Sequence, residues 1–221
     1  ALIRSDSKIK PMTVKRHKAG YHDRNLYQNI ASATKLREMN RNNENINDFI
    51  PYKLEDINCD IPYDISNLDS AIISKLRLMT AEDLQNISEV TEGIENRILS
   101  SANMSYSFET LVENVKNKRY TTSKIRRMII SALIGFTKDI YSPMPQYIRI
   151  LGMNKVGMTI LKQAKGICKV PIITKTADFK EQSPQFNLDV CATNIAMLCN
   201  PIPTHRIGNA DLKKSPIFNI F

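Results

Sequence analysis

The sequence predicts a mainly α-helical fold with small α/β parts. Apolar residues recur at three- and four-residue steps through most of 68–137, which is typical of amphipathic helices that share a core. Short segments of β-branched and aromatic character lie outside this region, and an Asn- and Asp-rich tract precedes it. We therefore expect three parts in chain order, at residues 1–50, 51–142 and 143–221.

The first part contains a helix start that is rich in hydroxyl groups. Residues 9–14 predict a short strand, and Ser32 is a suitable N-cap for a helix in which Leu36 and Met39 face a core. The hydroxyl groups of Ser32 and Thr34 lie beside the free amides of a helix start, with Lys35 and Arg37 close by, and this arrangement suits a phosphate group. The alternative is that these residues do nothing more than cap the helix.

The second part is predicted to be a helical bundle. Four apolar faces define its first helices, and Thr80 with Asp83 resembles a capping box. The faces consist of Leu68, Ile72, Leu76 and Met79; Leu84, Ile87 and Val90; Ile94, Ile98 and Leu99; and Phe108, Leu111, Val112 and Val115.

The last helix of the bundle is predicted within residues 116–137, where Thr121 or Thr122 can cap it. Cations gather at its entrance, where they oppose the helix macrodipole, so a polyanion such as nucleic acid would resolve the conflict. The alternative is a solvated face whose cations pair with acidic neighbours. The apolar stripe is Ile125, Met128, Ile129, Ala132, Leu133 and Phe136, and the cations are Lys116, Lys118, Arg119, Lys124, Arg126 and Arg127.

The third part is predicted to contain a βαβ unit with a small parallel sheet. Strands are expected at 147–151 and 170–174, and Asn154 can cap a helix between them that runs to about Lys165. In this helix Val156, Ile160 and Leu161 are expected to face inward. A further helix is expected at 188–198, and the tail from Asn200 onward is expected to be irregular.

Charge and motifs narrow the possible functions. The net charge is +9, and residues 116–170 carry twelve basic side chains and one acidic side chain, whereas residues 51–115 carry four and twelve. No apolar run approaches the roughly 20 residues of a membrane span, and the start lacks a secretory signal, so we expect a cytoplasmic protein without a membrane partner. The widely spaced cysteines and histidines predict no metal site, and no P-loop or G-x-S-x-G motif assigns a catalytic residue.

Several ordered motifs resemble one known family. They are KPMTVKR at 10–16, GYHD at 20–23, IASATKLR at 30–37, TAEDLQNISEVTEGIENRI at 80–98, KNKRYTTSKIRRM at 116–128 and YIRILGMNKVG at 147–157. Together they resemble bacterial tRNA(Met) cytidine acetate ligases, which are nucleotidyltransferases related to class I aminoacyl-tRNA synthetases. The resemblance runs from about Lys8 to Phe179.

The resemblance implies an ATP-dependent ligase that forms acetyl-adenylate from ATP and acetate, with Mg²⁺ accompanying the ATP. The acetyl group would then pass to the wobble cytidine of elongator tRNA(Met). In that family a His-x-x-His element in the N-terminal nucleotidyltransferase domain grips the ATP phosphates, and this sequence contains none. We therefore expect residues 1–50 to be the C-terminal segment of that domain, and the 221-residue chain to be inactive on its own.

The resemblance also assigns binding residues. Arg16 matches an arginine that contacts ATP, and Ser32, Thr34 and Arg37 match an element on the phosphate side. The six cations within 116–127 would hold the tRNA backbone. Two other functions remain open: a non-catalytic helical RNA-binding module, and an adenylyltransferase that acts on another small acid.

Overall fold

The amphipathic segments of the sequence fold into helices in the computed structural model, which describes residues 10–15, 18, 20, 23–50, 63–91, 93–141, 144–180 and 183–218. The chain divides into two compact units, residues 1–62 and 63–221. The mainly helical fold with short strands is confirmed. The predicted division into 1–50, 51–142 and 143–221 stays a prediction.

The first unit contains a small hairpin followed by a helix. Strands β1 (Leu26–Tyr27) and β2 (Ile30–Ala31) pair antiparallel, and Gln28 in the turn has a φ of 54°. Helix α1 (Ala33–Arg41) follows directly and buries Met39. The prediction of a strand within 9–14 is wrong for the described residues 10–15, which form no strand. No described strand pairs with this segment.

The second unit begins with the predicted helical bundle, whose apolar faces all lie in one core. Ile72, Leu84, Leu111, Ile125 and Met128 are completely buried in it. Truncating such a side chain to alanine typically costs about 2–5 kcal/mol. The helices are α2 (Asp69–Leu78), α3 (Ala81–Asn86), α4 (Glu95–Met104), α5 (Phe108–Val115) and α6 (Thr122–Ile134).

Side chains from neighbouring helices satisfy the helix ends. The Thr80–Asp83 capping box is confirmed, with the Thr80 amide donating to the Asp83 carboxylate at 2.8 Å. Arg77 donates to the carbonyls of Ala102 and Ser105 at the end of α4. Arg97 serves the end of α5 in the same way, donating to the carbonyls of 114–116 at 2.8 to 3.0 Å.

The C-terminal part of this unit contains the predicted βαβ arrangement. Strand β3 (Ile148–Arg149) pairs parallel with β5 (Ile172–Ile173), and helix α7 (Lys155–Lys165) lies between them in sequence. A second parallel pair joins β4 (Gly152–Met153) to β6 (Ile217–Phe218). Helix α8 (Pro184–Met197) begins four residues earlier than predicted.

Two expectations for this part are wrong. Val156 and Ile160 are 67% and 60% exposed, because α7 packs on the side of Gly157, Leu161 and Ala164 instead. The tail after Asn200 is not wholly irregular, since it forms helix α9 (Ala210–Lys213) and strand β6.

The tail is held in place by a buried carboxylate on α9. Asp211 is 6% exposed and accepts two hydrogen bonds from the Arg149 guanidinium, at 2.7 and 2.8 Å. The hydrogen bond from Arg149 lowers the pKa of Asp211. The Thr176 hydroxyl donates to the Asp211 carbonyl, so β3, α9 and the segment after β5 are connected at one point.

Candidate functional site

The start of α1 is built around the buried hydroxyl group of Ser32. This side chain is 2% exposed, and its Oγ donates to the Asp23 carbonyl and accepts from the Lys35 amide at 3.1 Å. The Asp23 carboxylate accepts from the Asn25 amide at 3.0 Å and from the Tyr27 hydroxyl at 2.8 Å, and these bonds lower its pKa. Ser32 therefore caps the helix and connects it to the hairpin, and its O–H is already committed.

Thr34 and Arg37 are more accessible than Ser32. Thr34 is half-buried and Arg37 is exposed, and their three-residue spacing places them on the same side of α1. The amides of Ala33 and Thr34 have no acceptor among the residues that the structure describes. This side of the helix start therefore offers two amide donors, a hydroxyl group and a guanidinium group to an anion.

The predicted ATP-binding set is only partly described. Ser32, Thr34 and Arg37 lie on or beside α1, whereas Arg16 lies outside the described residues. The role of these four residues in binding ATP stays a prediction.

The loop that leads into α6 is held in one conformation by its own polar groups. The Asn117 side chain accepts hydrogen bonds from the amides of Arg119 and Tyr120 at 2.8 and 3.1 Å. Lys118 and Arg119 are exposed at the tip of this turn. The Thr121 hydroxyl then caps α6 by accepting from the Lys124 amide at 3.3 Å, as predicted.

Tyr120 joins this loop to the bundle and brings two cations together. Its ring is 8% exposed, and its hydroxyl group lies 2.6 Å from the Thr91 hydroxyl oxygen. The Arg119 guanidinium and the Lys124 ammonium lie 5.3 and 5.1 Å from the ring centroid, within the range of cation–π attraction. Lys118, Arg119 and Lys124 form no ion pair with any described residue, and we call these three the open cations.

The other three predicted cations pair with carboxylates of this chain, and we call them the paired cations. Lys116 lies 3.4 Å from Glu113, Arg126 contacts Glu109, and Arg127 donates to both oxygens of Glu89 at 2.9 and 3.0 Å. The hydrogen bonds that Arg127 donates to Glu89 raise the pKa of the Arg127 guanidinium. All three pairs are solvent-accessible, and such pairs contribute little stability, so phosphates can compete for these cations.

A groove of about 470 Å³ lies beside two of the paired cations. Its walls combine apolar side chains with the Arg126 and Arg127 ion pairs, and Arg126 also stacks over the Phe108 ring at 5.1 Å. The lining residues are Ile65, Glu89, Phe108, Arg126, Arg127, Ile130, Ser131 and Phe136.

Sequence patterns did not identify which carboxylates face the paired cations. The Glu113–Lys116 pair has a helical spacing of three residues, so this contact could have been found. Glu109 and Glu89 lie 17 and 38 residues from their arginine partners, and no local pattern indicates those contacts.

Two further absences hold for the part of the chain that the structure describes. No three His, Cys, Asp or Glu side chains come together as a metal site would require. No helix is long and apolar enough to cross a membrane. The Mg²⁺ that would accompany ATP stays a prediction.

Comparison with known proteins gives consistent matches along the chain. A family model described as HIGH Nucleotidyl Transferase matches residues 1–211. A tRNA(Met) cytidine acetate ligase of Thermosipho africanus is 32% identical over 243 residues, covering 97% of this chain and 57% of the relative. The enzyme of the same name from Acetivibrio thermocellus is also 32% identical, covering 98% of this chain and 58% of that protein.

Solved structures of TmcAL from Thermotoga maritima have the same fold. The apo form I superimposes with a TM-score of 0.84 at 28% identity, covering 98% of this chain and 57% of that one. The form bound with alpha-thio ATP gives a TM-score of 0.81 and covers 98% and 56%. The chain thus spans a little over half the length of the relatives that it matches.

Proposed function

Because this chain belongs to the HIGH Nucleotidyl Transferase family, we propose that it is the C-terminal part of an ATP-dependent tRNA(Met) cytidine acetate ligase. One observation carries this proposal: similarity to relatives with that name extends over 97–98% of the chain. The cytoplasm, where tRNA is modified, is the proposed location.

The proposed reaction has two steps. An acetate oxygen attacks the α-phosphorus of ATP, which forms acetyl-adenylate and releases pyrophosphate. The exocyclic amine of the wobble cytidine then attacks the acetyl carbonyl, which forms the amide and releases AMP and a proton. This chain would assist the first step by stabilising charge on pyrophosphate and the second by holding the tRNA.

On the nucleotide side, the helix start of α1 would contact the phosphates. Thr34, Arg37 and the two amides without described acceptors supply donors to phosphate oxygens, and Arg16 would add a second guanidinium group. Ser32 would act mainly through the position of the helix, because its O–H is bound to Asp23. Mg²⁺ would arrive with the ATP.

On the tRNA side, the open cations would contact phosphates first. Arg119 and Lys124 lie against the Tyr120 ring, and Lys118 is exposed on the same loop. None of the three has a carboxylate partner within the described ranges. The paired cations Lys116, Arg126 and Arg127 would then exchange their glutamates for phosphates. Such contacts position an RNA but do not read its sequence, so recognition of tRNA(Met) needs additional contacts.

ATP–pyrophosphate exchange tests the catalytic half of the proposal. This chain would be joined to the part of the Thermosipho africanus relative that lies outside the match, and cooperative thermal unfolding would establish that the product is folded. We expect exchange that requires acetate in the joined protein and none in the 221-residue chain alone.

Other outcomes of the same assay would replace the proposal. Exchange that depends on a different small acid would indicate an adenylyltransferase with another substrate. A folded joined protein that binds tRNA but shows no exchange would favour a non-catalytic RNA-binding module.

A further inference from the structure

A second groove lies on the C-terminal part of the second unit, away from the six predicted cations in sequence. It has a volume of about 310 Å³, at the lower end of the range of ligand pockets. Helix α7, the β4–β6 strand pair and residues 174–175 form its walls. It is lined by Met153, Met158, Leu161, Lys162, Lys165, Thr174, Lys175, Ser215, Pro216 and Phe218.

The face that α7 turns to this groove is set by helical spacing. Met158, Leu161, Lys162 and Lys165 follow steps of three, four and seven residues, which places them on one side of the helix. Met158 is 42% exposed and Phe218, across the groove, is 55% exposed. Apolar side chains therefore form a partly open recess, and lysines stand at its rim.

The lysines at this rim form no ion pair with any residue that the structure describes. Residues 140–177 contain no aspartate and no glutamate. Lys162, Lys165 and Lys175 are all exposed, and no ion pair of theirs occurs among the residues described. Lys162 and Lys165 also suit the negative end of the α7 dipole, but that explanation does not extend to Lys175.

This charge pattern differs from that of the predicted cations within 116–127. There, three of six cations have glutamate partners, whereas here all three lysines are exposed and none has a carboxylate partner in the described part of the chain. Unpaired lysines around an apolar recess are complementary to a ligand that is both anionic and flat.

We propose that this groove binds a single-stranded segment of RNA, with a base against Met153, Met158 and Phe218 and phosphates on the three lysines. Bases stack on aromatic side chains in a way that tolerates different sequences, and lysines contact phosphates as point charges. The inference rests on the proposed function in one respect, namely that RNA is the partner. It adds a contact site for that RNA outside the α6 region.

An anionic membrane is a less suitable partner. Membrane-bound amphipathic helices insert a raised apolar face between flanking cations, whereas the apolar atoms beside these lysines lie in a recess. Val156 and Ile160 are exposed on α7 as well, but their spacing places them on another side of the helix.

A single tryptophan in the groove would report whether RNA enters it. The sequence contains no tryptophan, so Phe218→Trp would give one fluorophore at this position. We expect oligocytidylate RNA of ten nucleotides to quench its fluorescence in a saturable and salt-dependent way. The whole 221-residue chain would be used, with thermal unfolding as the check of folding.

The lysines would be tested in the same background. Replacing Lys162, Lys165 and Lys175 together with alanine should weaken RNA binding about tenfold or more. It should also reduce the slope of log K against log salt by about 2, because each phosphate contact contributes about 0.7 to this slope for single strands. The matched control removes three exposed lysines that do not line the groove, Lys75, Lys138 and Lys213. That control should lose much less affinity.

Each other outcome contradicts the proposal in a distinct way. Oligocytidylate that binds the Phe218→Trp variant without quenching the introduced fluorophore would place RNA elsewhere on the chain. Equal losses in the two lysine triples would indicate a general charge effect. A fluorescence response to phosphatidylglycerol vesicles but not to RNA would indicate a membrane partner. Because the fluorescence signal needs neither ATP nor acetate, failure of pyrophosphate exchange would leave this result standing.

Discussion

Tyr120 shows how a single residue connects the fold to the charged surface. Its ring lies in the bundle core, its hydroxyl group contacts Thr91 at 2.6 Å, and two open cations lie close to the ring. We expect Tyr120→Phe to lower the free energy of unfolding by about 1 kcal/mol, because the Thr91 hydroxyl group loses its partner. Urea unfolding measures this change, and Thr91→Val in the Tyr120→Phe background should add little.

The glutamates beside the paired cations give a second prediction at the residue scale. Glu109→Gln and Glu89→Gln should each tighten tRNA binding about two- to fivefold at low salt, because a competing carboxylate is removed from Arg126 or Arg127. Filter binding measures the affinity. Glu82→Gln is the matched control, since this exposed glutamate forms no ion pair within the described part of the chain. Unchanged affinity in both variants, with the control also unchanged, would show that these arginines do not contact the tRNA.

Helix α6 is followed by Gly135, whose left-handed backbone conformation favours glycine over other residues. Gly135 has a φ of 75°, and its amide donates to the Ser131 carbonyl. A Cβ built there meets no atom within 4 Å, so Gly135→Ala should destabilise the protein by about 1–2 kcal/mol through the backbone alone. Gly135→Asn should cost less, because asparagine tolerates this conformation better. Equal costs for the two variants in urea unfolding would contradict this explanation.

The docking of α9 onto β3 predicts a pH dependence. The folded-state pKa of Asp211 lies below its ordinary value of about 3.9, so its contribution is complete above that pH and is lost as the pH falls through the folded-state value. Asp211→Asn should therefore lower the free energy of unfolding by about 2–3 kcal/mol at pH 7. The difference between variant and wild type should shrink below about pH 4. A difference that stays constant from pH 7 to pH 3 would exclude a role for the ionised carboxylate.

The helices were predictable because their signals are local. Thr80 and Asp83 are three residues apart, and the apolar residues of α6 recur every three or four residues. A short stretch of sequence therefore suffices to predict both features. The face of α7 was predicted wrongly because apolar spacing alone did not indicate that Gly157 approaches Met153 closely; a Cβ at Gly157 would lie 3.1 Å from the Met153 Cβ.

At the scale of the whole molecule, the uneven charge predicts a strong salt dependence of RNA binding. Replacing Lys118, Arg119 and Lys124 with alanine should reduce the slope of log K against log salt by about 2 and weaken binding to different RNAs to a similar extent. The K75A/K138A/K213A triple described above is the control for removed charge. A filter-binding series between 50 and 200 mM salt, a range that resolves such slopes, measures both. Loss of affinity with an unchanged slope would contradict direct phosphate contacts.

Contacts between distant parts of the chain were not predictable from one sequence. Glu89 and Arg127 are 38 residues apart, and Arg149 and Asp211 are 62 apart, so nothing in either local segment indicates the pairing. The family resemblance is confirmed by relatives that match nearly the entire chain. The binding roles of Arg16, Ser32, Thr34 and Arg37, and of the six cations within 116–127, depend on ligands and stay predictions.

If the open cations contact tRNA as proposed, the short turn at Asn117 affects how fast the tRNA binds and how much entropy the loop loses on binding. Its side chain bonds to two amides, and the Tyr120 hydroxyl group anchors the end of the turn to Thr91. The backbone that carries Lys118 and Arg119 is therefore preorganised, so this loop should lose little main-chain entropy when RNA binds to it. Encounter with a tRNA should then be governed mainly by electrostatic steering, without a slow rearrangement of this loop beforehand.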